Sequence, residues 1–108
     1  MIVSGFNVYP SEVEDVIAEV PDVAEVAVIG VADERTGESV VAYVKARPGA
    51  DLELVPTMVQ EQCARRLARF KQPSVIHVVD ELPYTVTGKV QKGRLRATER
   101  RRSLGLLE

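Results

Sequence analysis

A chain of 108 residues with 45% hydrophobic and 28% charged side chains is long enough for one domain with its own core and too apolar for wholesale disorder. With no Trp, three Tyr and two Phe, that core must be built mostly from Val, Leu, Ile and Ala. The net charge of −2 conceals an asymmetry, because residues 1–54 carry 11 acidic against 3 basic side chains and residues 55–108 carry 5 against 11; the basic half suits a phosphate-rich partner, or simply a solvated helix.

The chain opens on Ser4-Gly5-Phe6-Asn7-Val8-Tyr9-Pro10, which reads as a loop or strand-turn. Gly5 there permits close backbone approach by a ligand, and Asn7 and Tyr9 offer hydrogen bonds. An ordinary turn into a helix explains the same residues. A helix follows. Ser11 and Glu14 have the spacing of a capping box, and Val13, Val16, Ile17 and Val20 make an apolar stripe that Pro21 ends.

Two β-branched runs come next, Glu25–Ile29 and Ser39–Lys45. The polar segment Asp33–Glu38 between them predicts a hairpin. A second helix starts near Pro56, with Val59, Cys63, Leu67 and Phe70 as its apolar stripe and Arg65, Arg66 and Arg69 mostly off it. Cys63, the one cysteine, belongs to that stripe as a core residue and makes no internal disulfide. Together with the lack of an apolar leader, this predicts a reducing, cytoplasmic setting. No apolar run approaches the ~18 residues of a membrane span.

A third strand, Val75–Val79, carries His77 in an apolar run, where a structural role is expected. The second proline-marked loop, Leu82–Lys89, follows, and the basic stretch Gln91–Arg102 reads as a terminal helix. The order α-β-β-α-β-loop-α predicts an α+β domain over residues 1–108, a small mixed β-sheet packed with about three helices.

The second loop holds the chemistry. Thr85, Thr87 and Gly88 lead into Lys89, and hydroxyls beside a lysine suit phosphate or carboxylate binding. A surface turn with a solvated lysine accounts for the same residues. Gly88-Lys89 is not a nucleoside-triphosphate P-loop, because Val90 stands where that loop needs Ser or Thr. No second His and no Cys pair supports a metal site, and no GxSxG motif is present.

Four segments together resemble the C-terminal domain of acyl-CoA synthetases and related adenylate-forming enzymes. "SGFNVYPSEVE" (4–14) resembles the motif that opens that domain. "DELPYTVTGKVQKGRLR" (80–96) resembles its closing motif, and "PDVAEVAVIGVADERTGESVVAYV" and "LARFKQP" are similar to the stretches between. The opening wording is most similar to long-chain fatty-acid–CoA ligases. Aryl- or short-chain-CoA ligases and the adenylation domains of peptide synthetases share the pattern.

The resemblance implies a two-step reaction in which a carboxylate and ATP give acyl-adenylate and pyrophosphate, and CoA then displaces AMP. It implies Lys89 as the adenylation lysine, with Thr87 and Gly88 supporting its loop. Gly5, Phe6 and Asn7 would form the face that turns to CoA and thioester formation. ATP, Mg2+ and the acid would be held mostly by a large N-terminal domain outside this chain, so this chain alone is expected to be inactive. Two residues depart from the pattern: Tyr84 stands where Arg or Lys is common, and Gly93 interrupts the basic helix. An alternative outside enzymology is a small nucleic-acid-binding module that uses the basic helix and binds in a salt-sensitive way; the loops lack the interleaved aromatics of single-strand readers.

Overall fold

The computed structural model describes residues 1–105, so the expected domain of 1–108 ends on three residues outside them. Strands β1 (Ile2–Val3) and β2 (Phe6–Asn7) are followed by helix α1 (Pro10–Ala18), strands β3 (Val23–Asp33) and β4 (Gly37–Ala46), helix α2 (Val55–Arg66), strand β5 (Val75–Val79) and helix α3 (Lys92–Ser103). The expected order is recovered, with a short N-terminal hairpin added and a 3-10 turn at Arg69–Lys71 carrying Phe70 away from α2.

β4 is the organising strand. β3 runs antiparallel along its whole length, with Val26 opposite Val44, Val28 opposite Ala42 and Gly30 opposite Val40. Its other edge is shared: β1 meets it at Gly37, and β5 lies parallel to it from Val41 to Lys45. A parallel neighbour needs a crossover, and α2 supplies it. Both faces of β4 are covered, which is why Val40–Val44 reads as an unbroken apolar run. Val40, Ala42 and Val44 point into a core shared with α1 and α2, including Val13, Ile17, Val59 and Cys63. Val41 and Tyr43 point the other way, to Ala27, Ile29, Leu82 and Leu95. The sheet therefore lies between α1 and α2 on one side and α3 with the loop before it on the other.

The capping box is not formed. α1 begins at Pro10 after an extended Tyr9, and no side chain caps it. The Glu14 carboxylate instead reaches β3, where it accepts the Val28 N–H at 2.8 Å and lies 2.9 Å from Lys92 Nζ. β3 is an edge strand, and its unpaired donors are a template for unwanted pairing. Glu14 satisfies one of them instead of capping α1, whose first turn has one fewer N–H to satisfy because Pro10 has none. Glu14→Ala is expected to cost about 1–3 kcal/mol, because it strands a half-buried N–H and an ammonium. Glu14→Gln should recover the Val28 bond, and denaturant midpoints of the two variants check the difference.

Candidate functional site

Lys89 sits at the end of a finger of chain between β5 and α3. Its base is a bridge from Tyr84 to Val90. The Gln91 N–H donates to the Pro83 carbonyl at 2.8 Å, and the Thr85 N–H donates to the Lys89 carbonyl at 2.7 Å. The tip turns through Thr85-Val86-Thr87-Gly88, closed by Gly88 N–H to the Thr85 carbonyl at 3.0 Å. Gly88 takes φ +86°, which L side chains rarely adopt, so glycine is required here for the turn itself. Thr85 Oγ1 accepts the Lys89 N–H at 3.1 Å and lies 2.9 Å from Thr87 Oγ1. The hydroxyls thus brace the loop from inside. The Lys89 backbone is pinned on both sides while its side chain is exposed and, among the described residues, makes no ion pair.

Gly5, Phe6 and Asn7 are placed elsewhere. Ser4 and Gly5 form a two-residue hairpin turn between β1 and β2 with φ +50° and +83°, the paired positive values of the tight turn that suits twisted strands. A Cβ on Gly5 would meet nothing within 4 Å, so within this chain its need is conformational. The turn is anchored by the Ser4 N–H to the Thr36 carbonyl at 2.8 Å. Thr36 in turn belongs to the β3–β4 connection, where Asp33 accepts the backbone N–H groups of Arg35 and Thr36. These bonds, that of Arg35 first, hold the Asp33 carboxyl below the usual carboxylate range. Phe6 stacks on Phe70 with centroids 4.5 Å apart, and Asn7 is exposed.

Lys89 and the Gly5 turn are therefore not brought into one site. Val3 beside the turn packs into the core under α1 and α2, whereas Val90 beside Lys89 packs under α3. A groove of about 390 Å³ lies next to the hairpin, with Val3, Ser4, Arg35, Arg69 and Phe70 in its wall. Lys71 is engaged with Glu12 at 3.0 Å. Among the described residues, no group of His, Cys, Asp and Glu is arranged to hold a metal ion, and no helix is long and apolar enough to cross a membrane. Cys63 is buried, and burial pushes its thiol up to about 11, which suits a core residue rather than a nucleophile.

Sequence reasoning missed the polar cluster that seats α3. The Tyr43 hydroxyl donates to the Glu99 carboxylate, whose Oε1 also lies 2.8 Å from His77 Nε2 and 3.7 Å from Arg102 Nε. The His77 ring tilts against Tyr43 at 4.9 Å. Tyr43 is 2% exposed, and burial first, then the bond to Glu99, pushes its phenol up to about 12. A folded-state value above the unfolded one means that the neutral phenol stabilises the fold below pH 10. That contribution is lost as pH rises from about 10 to about 12. Solvent screening at the α3 edge keeps that contribution to roughly 1–2 kcal/mol. Tyr43→Phe is expected to flatten the alkaline limb of the stability curve, measured by denaturant titration at stepped pH.

Comparison with known proteins adds to this geometry. Residues 12–89 match the family of the AMP-binding enzyme C-terminal domain. The chain is 52% identical over 95 residues to a 3-[(3aS,4S,7aS)-7a-methyl-1,5-dioxo-octahydro-1H-inden-4-yl]propanoyl:CoA ligase of Rhodococcus jostii (strain RHA1), covering 88% of this chain and 18% of that protein. It is 41% identical over 99 residues to a long-chain-fatty-acid–CoA ligase of Yersinia pestis, covering 92% and 17%. The crystal structure of ATP-bound MatB from Rhodopseudomonas palustris superimposes with a TM-score of 0.84 at 43% identity, over 91% of this chain and 19% of that one. The chain thus spans about a fifth of the length of the relatives it matches.

Proposed function

From the premise that this chain belongs to the AMP-binding enzyme C-terminal domain family, we propose that it is the mobile C-terminal domain of an ATP-dependent acyl-CoA ligase and that Lys89 acts in the adenylation step. The observation that carries the reading is the state of Lys89: backbone pinned within the finger, side chain exposed and without an ion pair among the described residues. A cation held on a braced loop and exposed to solvent is available to a group outside this domain.

In adenylation a carboxylate oxygen attacks the α-phosphorus of ATP and pyrophosphate leaves. Both reactants are anionic. An ammonium between them offsets their repulsion and orients the attack, which is positioning and charge stabilisation rather than proton transfer. In the second step the CoA sulfur attacks the acyl carbon and AMP leaves. Gly5, Phe6 and Asn7 are assigned to that step, as the face presented after the domain rotates. The separation of the Gly5 turn from the Lys89 finger, in different layers of the fold, supports two faces used in turn. Among the described residues no group of His, Cys, Asp and Glu could hold a metal ion, and Mg2+ is assigned to an N-terminal domain. ATP and the acid are assigned mainly to an N-terminal domain of the same polypeptide.

The acyl group is assigned to that other domain as well. The resemblance of residues 4–10 to fatty-acid–CoA ligases and the Yersinia relative support a long-chain fatty acid; the Rhodococcus relative, named for an indenyl propanoate, supports a ring-bearing acid. The buried cysteine fits a reducing, cytoplasmic setting. The test is a separate assay of the two half-reactions in the ligase that contains this chain, with Lys89→Ala. Unimpaired adenylate formation would sink the assignment.

A further inference from the structure

The hydrogen bonds inside the finger fix its shape but not its direction relative to the sheet. Its tip stands clear of the domain: Val86 is fully exposed, and Thr87, Gly88 and Lys89 are exposed. At the base, Leu82 is buried and Val90 packs beside it, which gives an apolar foot without a fixed heading. One side chain of the finger reaches back to the sheet. Tyr84, 41% exposed, donates its phenol O–H to the Glu25 carboxylate near the start of β3. Glu25 is itself held. Its cross-strand neighbour on β4 is Lys45, whose Nζ lies 3.7 Å from Glu25 Oε2 and 3.2 Å from Glu81 Oε1. Glu81 stands in the segment that leads from β5 into the finger. A chain of phenol, carboxylate, ammonium and carboxylate thus runs from the finger to two paired strands and back to the finger's own root.

We propose that Tyr84 is a positioning residue for the Lys89 chemistry: its bond to Glu25, braced by Lys45 and Glu81, sets the heading of the finger and so the place where the Lys89 ammonium is delivered. This rests on the adenylation reading of Lys89. The bond itself holds the phenol in its neutral donor form, because the Glu25 carboxylate, ahead of the other causes, pushes Tyr84 up to about 12. The Lys45 hydrogen bond to Glu81, first among the causes, raises Lys45 above the ordinary lysine value. The charges also define a rescue. Two carboxylates against one ammonium leave a net negative charge at the brace, so an Arg at position 84 would be accepted by Glu25 as a donor, whereas Phe offers no donor.

The first arm uses the 108-residue chain and 15N relaxation. In Tyr84→Phe, backbone order at 85–89 should fall from the rigid range, near 0.85, toward the flexible range below about 0.6, with β3 and β4 unchanged. Glu25→Ala should do the same, the double variant should be no looser than either single one, and Tyr84→Arg should restore order. The second arm uses the ligase containing this chain. Tyr84→Phe should lower the kcat of adenylation by ~3–10-fold, the size of one exposed hydrogen bond, with the KM for ATP and the rate of thioester formation from pre-made acyl-adenylate unmoved. Equal slowing of both half-reactions would mark a merely structural residue and overturn the proposal. So would an unchanged finger in Tyr84→Phe, whatever the activity. If Lys89→Ala is fully active, the adenylation reading fails and the functional half of the proposal with it, while the relaxation arm still decides whether the brace exists.

Discussion

Replacing Lys89 by Ala in the ligase that contains this chain is expected to slow adenylate formation by about 10²–10³-fold, the cost of removing one preorganised charge-stabilising group. Thioester formation from pre-made acyl-adenylate should keep its rate, because in the proposed cycle the finger is turned away in that step. The variant isolates chemistry from folding. Lys89 is exposed, and the two bonds that pin it use backbone atoms that alanine also has, so stability should change by no more than about 0.5 kcal/mol. Lys89→Arg should recover only part of the rate, since a planar fork does not put its charge where a compact ammonium does. Single-turnover release of pyrophosphate measures the first step, and CoA-dependent release of AMP the second. Equal loss in both with a lowered melting temperature would return Lys89 to a packing role.

The parts of this molecule that were legible in its sequence are those governed by neighbours in the chain. β-Branching marks β3 and β4, the polar run between them marks their connection, and the spacing of Val59 and Cys63 marks the buried side of α2. Thr87-Gly88-Lys89 is legible as a turn because Gly88 must supply a positive φ. What stayed hidden depends on distant partners. Ser11 and Glu14 satisfy a local rule, yet Glu14 is taken by the Val28 N–H and Lys92, which only the assembled edge of the sheet brings near. Tyr84 and Glu25 are 59 positions apart, and Tyr43 and Glu99 are 56. His77 looked partnerless for the same reason, since its carboxylate neighbour comes from α3. Lys89 could be picked out from sequence, but its lack of an ion pair among the described residues and the Tyr84–Glu25 bond beside it could not, because both depend on which charges the fold leaves near the finger.

That dependence makes α3 the weak point of the arrangement. Leu95 is its one buried residue, 5% exposed among Ala27, Ile29, Val41, Tyr43 and Leu82. The remaining ties are Glu99 with Tyr43 and Lys92 with Glu14, polar contacts worth roughly 1 kcal/mol each; His77 Nε2 lies close to the Glu99 carboxylate but makes no hydrogen bond among the described residues. Leu95→Ala removes about 2–5 kcal/mol of transfer and cavity energy. The loss falls on an element with no other apolar anchor, and a 12-residue helix is marginal on its own. The expected outcome is local detachment rather than global unfolding. Amides of α3 should exchange quickly, and helical ellipticity should drop by about the share of 12 of the 33 α-helical residues described. The core under α1 and α2 should melt almost as before. The finger runs directly into α3, with Val90 and Gln91 shared between its base and the approach to the helix, so adenylation in the ligase should fall with it. Ile17→Ala, a deletion of similar size in the other core, should instead lower the melting temperature of the whole domain and leave α3 no more exchangeable than the sheet. If Leu95→Ala also gives one uniform transition with no selective exchange in α3, the helix is cooperative with the sheet, and the aim of Lys89 is then as stable as the fold itself.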